Sequence, residues 1–301
     1  MFVIKNKKIF IGISITLVVL SIISLSVFGL KMGIDFKGGS ITEVAYENER
    51  PDQTLLNADI QTLNLGSVLL QPAGELSYIV KTGDITEEQH FLLLDVLSMD
   101  GKYKLTESNF NSIGPSVGKE LSRKALFAIA FSSLVIVLFI AFAFRKVSKP
   151  VSSWKYGIIA IIALLHDIII TAGVFSLVSK FYGIEADSLF VVAVLTIVGL
   201  SISDTIVIFD RIRENLRKDE DKHKLDFHTM VGKSLNQSFE RSLLTSFTTI
   251  LVLLCLFFFG PESTKYFALM LTVGMFFGTY SSIFFASPML VLLEEKQKKN
   301  H

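Results

Sequence analysis

Four ionisable side chains stand inside stretches otherwise apolar enough to cross a membrane. His166 and Asp167 lie near the middle of one stretch, Asp204 lies within the next, and Arg241 opens the one after that. A charge in such a place costs ~2.5 to 3.5 kcal/mol on insertion scales, so each should face a bundle interior and find a partner. Asp204 shares a helix face with Ser201, Thr205 and Ile208, and Gly199-x-x-x-Ser203 offers a neighbouring helix a close approach. Arg241 continues along its own helix into Thr245 and Thr248 as a polar stripe. The two stretches run antiparallel and are joined at one end, so Asp204 and Arg241 reach similar depth and are expected to pair. Two readings stand for them: a static salt bridge that fixes helix packing, or a carboxylate that gains and loses a cationic neighbour and so loads and releases a proton. His166 and Asp167 are about 100° apart around a helix, so they should address different neighbours. Packing support and proton relay both stand for that pair.

The elements that must position these residues are membrane spans. Of 301 residues half are hydrophobic, including 26 Phe, too apolar for a single water-facing domain. Six runs are long enough to cross a hydrocarbon core of about 30 Å: Ile9 to Leu30, Ala125 to Phe144, Tyr156 to Ser179, Ser188 to Phe209, Ser242 to Gly260 and Tyr266 to Leu293. The first is too long for a signal-peptide core and is expected to remain as an anchor. Basic residues flank one side: Lys5, Lys7 and Lys8; Arg145, Lys146, Lys149 and Lys155; Arg211 to Lys224; and Lys296 to Lys299. That asymmetry puts both termini in the cytoplasm and the long first loop outside. Trp154, Tyr156, Tyr182 and Tyr266 stand at span ends, where amphipathic rings prefer the headgroup layer.

The long loop divides the chain into residues 1–34, an extracytoplasmic domain over 35–124, and a membrane part over 125–301. Ile41 to Glu47 alternates as a strand, and Pro51 to Leu65 reads as a helix with Pro at its first turn. Ser67 to Leu70 and Leu76 to Lys81 read as strands around the turn Pro72-Ala73-Gly74. Thr86-Glu87-Glu88-Gln89 is a capping box opening a helix with an apolar face of Phe91, Leu92, Leu94, Val96 and Leu97, and Tyr103 to Asn109 gives a last strand. The order β-α-β-β-α-β is ferredoxin-like. The fold class is therefore a mainly α membrane protein with six transmembrane helices and a small α+β head between the first two. His90 is expected to be a solvated helix residue. Two glycine-bearing joints flank the head, Gly33-Ile34-Asp35-Phe36-Lys37-Gly38-Gly39 and Gly114-Pro115-Ser116-Val117-Gly118. They are hinges that let the head swing, or ordinary tight turns.

Other chemistry is limited by what is missing. The net charge of +1 gives no electrostatic footprint for nucleic acid. The single cysteine, Cys255, permits no internal disulfide and reads as a small buried hydrophobe. No phosphate-loop spacing and no metal-ligand spacing appears, His223 and His228 included, so no cofactor is expected. Asp210, Arg211, Arg213 and Glu214 read as an interfacial charge cluster where the fourth span ends. No protease motif appears, and no catalytic role is expected.

The two joints resemble the motifs that flank the external domain in the SecD/SecF family. Leu165-His166-Asp167, the run Ser203-Asp204-Thr205-Ile206-Val207-Ile208-Phe209-Asp210-Arg211-Ile212-Arg213-Glu214-Asn215, and Arg241-Ser242-Leu243-Leu244-Thr245-Ser246-Phe247-Thr248-Thr249 resemble the SecF branch in particular. The matches follow family order along nearly the whole chain. The resemblance implies a six-span module of the resistance-nodulation-division type in a bacterial plasma membrane. It implies SecD as partner, the SecYEG channel nearby and unfolded preproteins as cargo, with proton or sodium motive force driving late export through Asp204 and Arg241. The family often has Asn where this chain has Ser203, and the loop before Arg241 is a few residues longer than usual. Two other readings share these features: an exporter of small molecules or lipids from the same superfamily, for which a head of this size leaves little room for a cleft, and a purely structural assembly subunit.

Overall fold

The computed structural model describes residues 2–66, 68–143, 153–219 and 226–299. Ser67 and much of the basic-residue argument, Arg145, Lys146, Lys149, Lys222 and Lys224, together with His223, lie outside the described residues. In chain order the elements are α1 (Phe2–Lys5), α2 (Lys7–Phe28), α3 (Ile34–Lys37), β1 (Gly39–Tyr46), α4 (Gln53–Thr62), β2 (Leu69–Ala73), β3 (Ser77–Thr82), α5 (Glu87–Ser98) and β4 (Leu105–Ile113). Then follow α6 (Pro115–Ala143), α7 (Ser153–Tyr182), α8 (Ser188–Asp219), α9 (Phe227–Phe259), α10 (Glu262–Tyr280), a π-helical turn over Ser281–Ala286, and α11 (Ser287–Lys299). Among the described residues six helical stretches are long and apolar enough to span a membrane: α2, α6, α7, α8, α9 and the α10–α11 run. Several outrun their apolar windows; α6 begins at Pro115 and α9 at Phe227. Lys, Glu and Arg propagate a helix nearly as well as Leu, so hydropathy marks the membrane window and not the helix end.

The chain separates into two compact units: Met32–Phe127 with Glu185–Ser188, and the remaining helices. In the first, the four strands form an antiparallel sheet in the order β2-β3-β1-β4. With α4 and α5 this is the ferredoxin-like order expected. Its core is Val44, Leu56, Ile60, Val80, Leu93 and Leu97, all fully buried. Two tyrosines enter the same core edge to face, with ring centroids 6.1 Å apart, and each finds a carbonyl: Tyr46 Oη donates to Leu97 O at 2.9 Å and Tyr78 Oη to Pro51 O at 2.8 Å. Burial pushes the Tyr46 hydroxyl well above the usual phenol range, so it stays a donor.

Local chemistry sets the head's helices. The capping box forms: Gln89 N–H donates to Thr86 Oγ1 at 3.3 Å, and Thr86 N–H to Gln89 Oε1 at 3.0 Å. At α4 the cap is Asp52, accepting from Thr54 N at 2.7 Å and Leu55 N at 3.4 Å, and Pro51 stands outside the helix. Those N–H groups, Thr54 first, hold the Asp52 carboxyl below its ordinary range.

Three expectations for the head are corrected. Strand β2 runs through Pro72 and Ala73, and the turn moves to Gly74, at φ 67°; Pro72 is tolerated because β2 is an edge strand. The inward face of α5 is His90, Leu93 and Leu97, the i, i+3, i+7 set, so Phe91 and Leu92 point outward, 67% and 54% exposed. His90 is buried, stacked on Phe110 at 3.8 Å between ring centres, with Nε2 3.0 Å from Glu107 Oε1.

The two glycine joints interlock at the base of the head. A Cβ on Gly38, at φ +84°, would meet Pro115 Cα at 2.7 Å, and one on Gly118 would meet Gly38 N at 2.7 Å. Gly39, at φ +137°, would meet Thr82 O at 2.6 Å. Residues 185–188 join this base: Gly33 N–H donates to Ala186 O at 2.7 Å, Lys81 Nζ lies 2.9 Å from Glu185 Oε2, and Asp35 Oδ2 accepts from Ser188 N at 2.7 Å. Gly114 is different, with open space where a Cβ would stand, and Pro115 occupies the first turn of α6, where its missing N–H costs nothing.

Two outcomes follow. Gly38→Ala and Gly118→Ala should each destabilise the head by about 1 to 3 kcal/mol, and Gly114→Ala by less than about 0.5, scored by hydrogen exchange of β1 and β4 amides; equal effects at all three would contradict the interlock. Asp52, whose folded carboxyl titrates below its unfolded value, contributes stability above pH ~4 that is lost as pH falls through the folded value. Asp52→Ala should therefore remove part of the acid-induced loosening of α4 seen in the same exchange profile.

Candidate functional site

The helices of the second unit approach through small residues. Span one meets α7 where Gly173 lies against Ser21, and Ser24 Oγ donates to Gly173 O at 2.9 Å while Ser176 Oγ donates to Gly29 O at 2.6 Å. Ser234, Ser238, Ser242 and Ser246 place one buried hydroxyl per turn along α9. The approach of α10 to α8 is set by Gly274-x-x-x-Gly278: Gly274 lies against Ile197, and a Cβ on Gly278 would touch Ser201 Cβ at 3.0 Å. Gly199 and Ser203, expected to serve that purpose, are on the outward side of α8, and nothing stands within 4 Å of a Cβ built on Gly199.

With Gly278 seated on α8, the residues after it carry the site. Asp167 is fully buried, and its Oδ2 accepts from Ser201 Oγ of α8 and from Ser281 Oγ of the π-helical turn, the latter at 2.8 Å. Its Oδ1 is 2.8 Å from His166 Nδ1. The expectation that His166 and Asp167 address different neighbours is thus corrected: their Cα–Cβ bonds diverge, but both side chains are long enough to fold back and meet. The His166 ring stacks on Phe285 at 5.1 Å, and its Nε2 is buried without a partner among the described residues. Beside this centre Thr205 Oγ1 and Ser282 Oγ are 2.7 Å apart. The consecutive serines of the π-helical turn, Ser281 and Ser282, are both fully buried.

Asp204 forms a second, more open centre. Its Oδ2 accepts from Thr279 Oγ1 at 3.2 Å and from Ser246 Oγ at 3.5 Å, and those two hydroxyls are 2.5 Å from each other. Arg241 is exposed on this chain and makes no ion pair within 4.0 Å of Asp204. The expected contact pair is therefore not formed, and the carboxylate is held by hydroxyls. Ser201 and Thr205, placed by spacing on Asp204's face, instead serve Asp167 and Ser282. Thr245 and Thr248 lie exposed, and Thr248 Oγ1 donates to the Leu244 and Thr245 carbonyls of its own helix.

At the C-terminal end of α8 the charges pair along the helix: Asp210 with Arg213, Arg211 with Glu214 at 2.6 Å, and Lys218 with Glu214 at 2.6 Å. The bond that reaches another helix is made by Asn215, whose Nδ2 donates to Ser234 Oγ and Gln237 Oε1, each at 2.8 Å. Nearby, Glu295 gathers Lys7 at 2.5 Å and His228 at 2.7 Å, tying α2, α9 and α11. Tyr156, expected at an interface, is buried edge-on against Phe209, while Cys255 is exposed on the apolar outer face of α9. Among the described residues no group of three His, Cys, Asp or Glu is placed to hold a metal.

Sequence spacing singles out Asp204, Arg241, His166 and Asp167 as candidates. It does not reveal the hydroxyls around the two acids, Ser246, Thr279, Ser281 and Ser282, for which Gly274-x-x-x-Gly278 directly before Thr279 is the available signal.

Comparison with known proteins agrees with this architecture. The family described as "Protein export membrane protein SecD/SecF, C-terminal" matches residues 95–296, and the "SecD/SecF GG Motif" matches residues 23–49. Curated relatives include the protein translocase subunit SecF of Thermobaculum terrenum, 39% identical over 98% of this chain and 94% of that protein. The SecF of Anaerolinea thermophila is 32% identical over 99% of this chain and 96% of that protein. The crystal structure of SecDF, a translocon-associated membrane protein from Thermus thermophilus, superposes with a TM-score of 0.82 at 31% identity. That match covers 97% of this chain but only 38% of the SecDF chain. A SecDF structure in a super-membrane-facing form gives a TM-score of 0.70 at 30% identity, covering 99% of this chain and 39% of that one. The chain belongs to the SecD/SecF family of protein export membrane proteins, as a SecF-type protein translocase subunit.

Proposed function

We propose that this chain works with a separate SecD, beside the SecYEG channel of a bacterial plasma membrane, and uses the proton or sodium motive force to promote late export of unfolded preproteins. Asp204 is the group that binds and releases the ion, and Arg241 is the charge that answers it. The observation that carries this reading is the setting of Asp204: a carboxylate inside a span, held by the hydroxyls of Thr279 and Ser246, with no ion-pair partner within 4.0 Å among the described residues. A packing salt bridge would put the guanidinium within ion-pair distance. A carboxylate held by neutral hydroxyls keeps the freedom to exchange its ion, because a hydroxyl donates to the charged form and accepts from the protonated one. A proton moving down the gradient releases about 2.3 kcal/mol per 100 mV, and only a group that titrates can capture it. Both termini are cytoplasmic in this reading and the head faces outward, where it moves relative to the membrane with the Gly38, Gly39 and Gly118 interlock as part of it. The charges from Asp210 to Glu214 lie at the cytoplasmic surface.

Asp204→Asn and Arg241→Met should each lower gradient-stimulated preprotein export at least about tenfold, with the subunit still present and co-purifying with SecD; tenfold corresponds to ~1.4 kcal/mol. A pure scaffold would behave otherwise: export would keep its response to the gradient. Thr279→Val, which removes one hydroxyl from Asp204, should weaken the response less than Asp204→Asn. For topology, a reporter active only outside should work when fused near Ser77 or Tyr182, and one active only inside near Lys222. An external signal at Lys222 would reverse the orientation.

A further inference from the structure

We propose that His166 and Asp167 form a second proton-binding site of this chain, enclosed in the bundle by Ser201 and Ser281 and separate from Asp204. The proposal rests on the ion-coupling reading above and adds a place where the proton resides. Asp167 is 0% exposed and His166 3%. Among the described residues the titratable or charged groups facing the dyad are few. From α7 there is only the dyad itself; from α10 there is the Tyr280 ring, 6.3 Å from the imidazole, whose hydroxyl is engaged by Phe10 O at 3.3 Å. From α8 and the π-helical turn come the neutral hydroxyls Ser201 and Ser281, and no Lys or Arg pairs with Asp167. A bare carboxylate is costly in so dry a place without a cation, so the dyad is favoured with one proton beyond the imidazole's own: Nε2 keeps its N–H and a second proton is shared between His166 Nδ1 and Asp167 Oδ1, 2.8 Å apart, while loss of the Nε2 proton leaves Nδ1–H donating to the carboxylate.

The arrangement suits a proton that comes and goes. Both serine hydroxyls crowd onto Oδ2, which leaves Oδ1 to the imidazole alone and fixes the line of transfer. Loading adds one H⁺ to the dyad and breaks no other bond. On the far side of the ring, His166 Nε2 is buried with no partner among the described residues. A histidine kept only for packing would have that nitrogen satisfied, since an unpaired buried polar atom is destabilising; an open nitrogen is where a proton enters or leaves. The reading of the dyad's state falls to one turn of the last span, because Ser281 touches Asp167 and Thr279, two residues earlier, touches Asp204. A π-helical turn is a costly conformation that persists mostly at functional positions.

The test uses the full chain with its co-purified partner in lipid nanodiscs, labelled with ¹⁵N-histidine, the His166 signals being assigned by their loss in His166→Gln. Titrated over the pH range in which the complex stays assembled, the ring nitrogens of His166 should change protonation state once. A single protonation state throughout would overturn the second site. In export assays Asp167→Asn should reduce the gradient-stimulated component about tenfold, as Asp204→Asn does. Loss of the response with Asp204→Asn but full retention with Asp167→Asn would sink the second site and leave the coupling reading intact, while retention with both would sink the coupling reading as well. If Asp167→Asn does not accumulate in the membrane, the ¹⁵N titration of the unaltered chain decides alone.

Discussion

A carboxylate inside an apolar bundle must be satisfied by its neighbours, because neither lipid nor hydrocarbon side chains can solvate it, and two such groups, Asp167 and Asp204, set the terms for everything packed around them. Two of their four hydroxyl partners, Thr279 and Ser281, come from one stretch of the last span. For those side chains to reach, α10 must ride directly on the backbone of α8. Gly274 and Gly278 permit that by presenting no Cβ where Ile197 and Ser201 stand. The buried serine row of α9 has the same effect on its side, bringing Ser246 to both Thr279 and Asp204. Small residues here do not fill space; they remove it, so that hydroxyls arrive at hydrogen-bonding distance from charges that would otherwise be stranded.

The base of the head obeys a related rule in water. Two chain crossings, one before β1 and one after β4, are locked backbone against backbone through Gly38, Gly39 and Gly118, and the short segment Glu185–Ser188 is stitched onto them. Each glycine serves close approach, and two of them also adopt positive φ, so flexibility is the least of their contributions in this conformation. If the head swings as proposed, the interlocked glycines move as part of it, and Gly114, between β4 and the locked Gly118, moves with them.

Much of this was legible in the sequence because it rests on strong, one-dimensional signals. Runs of apolar residues gave the spans, and turn residues with a capping box gave the order of the head. Charges inside apolar runs announced Asp204, Arg241, His166 and Asp167, since nothing but a partner offsets their cost. What was not legible depends on azimuth and register. Ser and Thr in an apolar helix usually bond their own i−4 carbonyl, as Thr196 and Thr272 do here, so composition alone does not separate them from Ser281 or Thr279; the Gly274-x-x-x-Gly278 spacing just before Thr279 is the signal that could. The π turn has no compositional signature. His90 departs from expectation for the opposite reason: its polar ring suggests a solvated place, but stacking on Phe110 gives it an apolar body's place in the core.

The two acid centres differ in a way that bears on coupling. Asp167 is fully enclosed and accepts from three donors, whereas Asp204 keeps part of its surface open on this chain, beside the exposed Ser203. In the proposed coupling, Asp204 is therefore the more accessible of the two centres, and the dyad exchanges its proton through the unpaired His166 Nε2. The hydroxyls that hold the two acids are rotors on helices already in backbone contact, so changing the charge of either acid alters what Thr279 and Ser281 must do within a single turn of the last helix. A rigid bundle with two charge states at its centre must accommodate the difference where its backbone is least regular, and that place is the π turn at Ser281–Ala286.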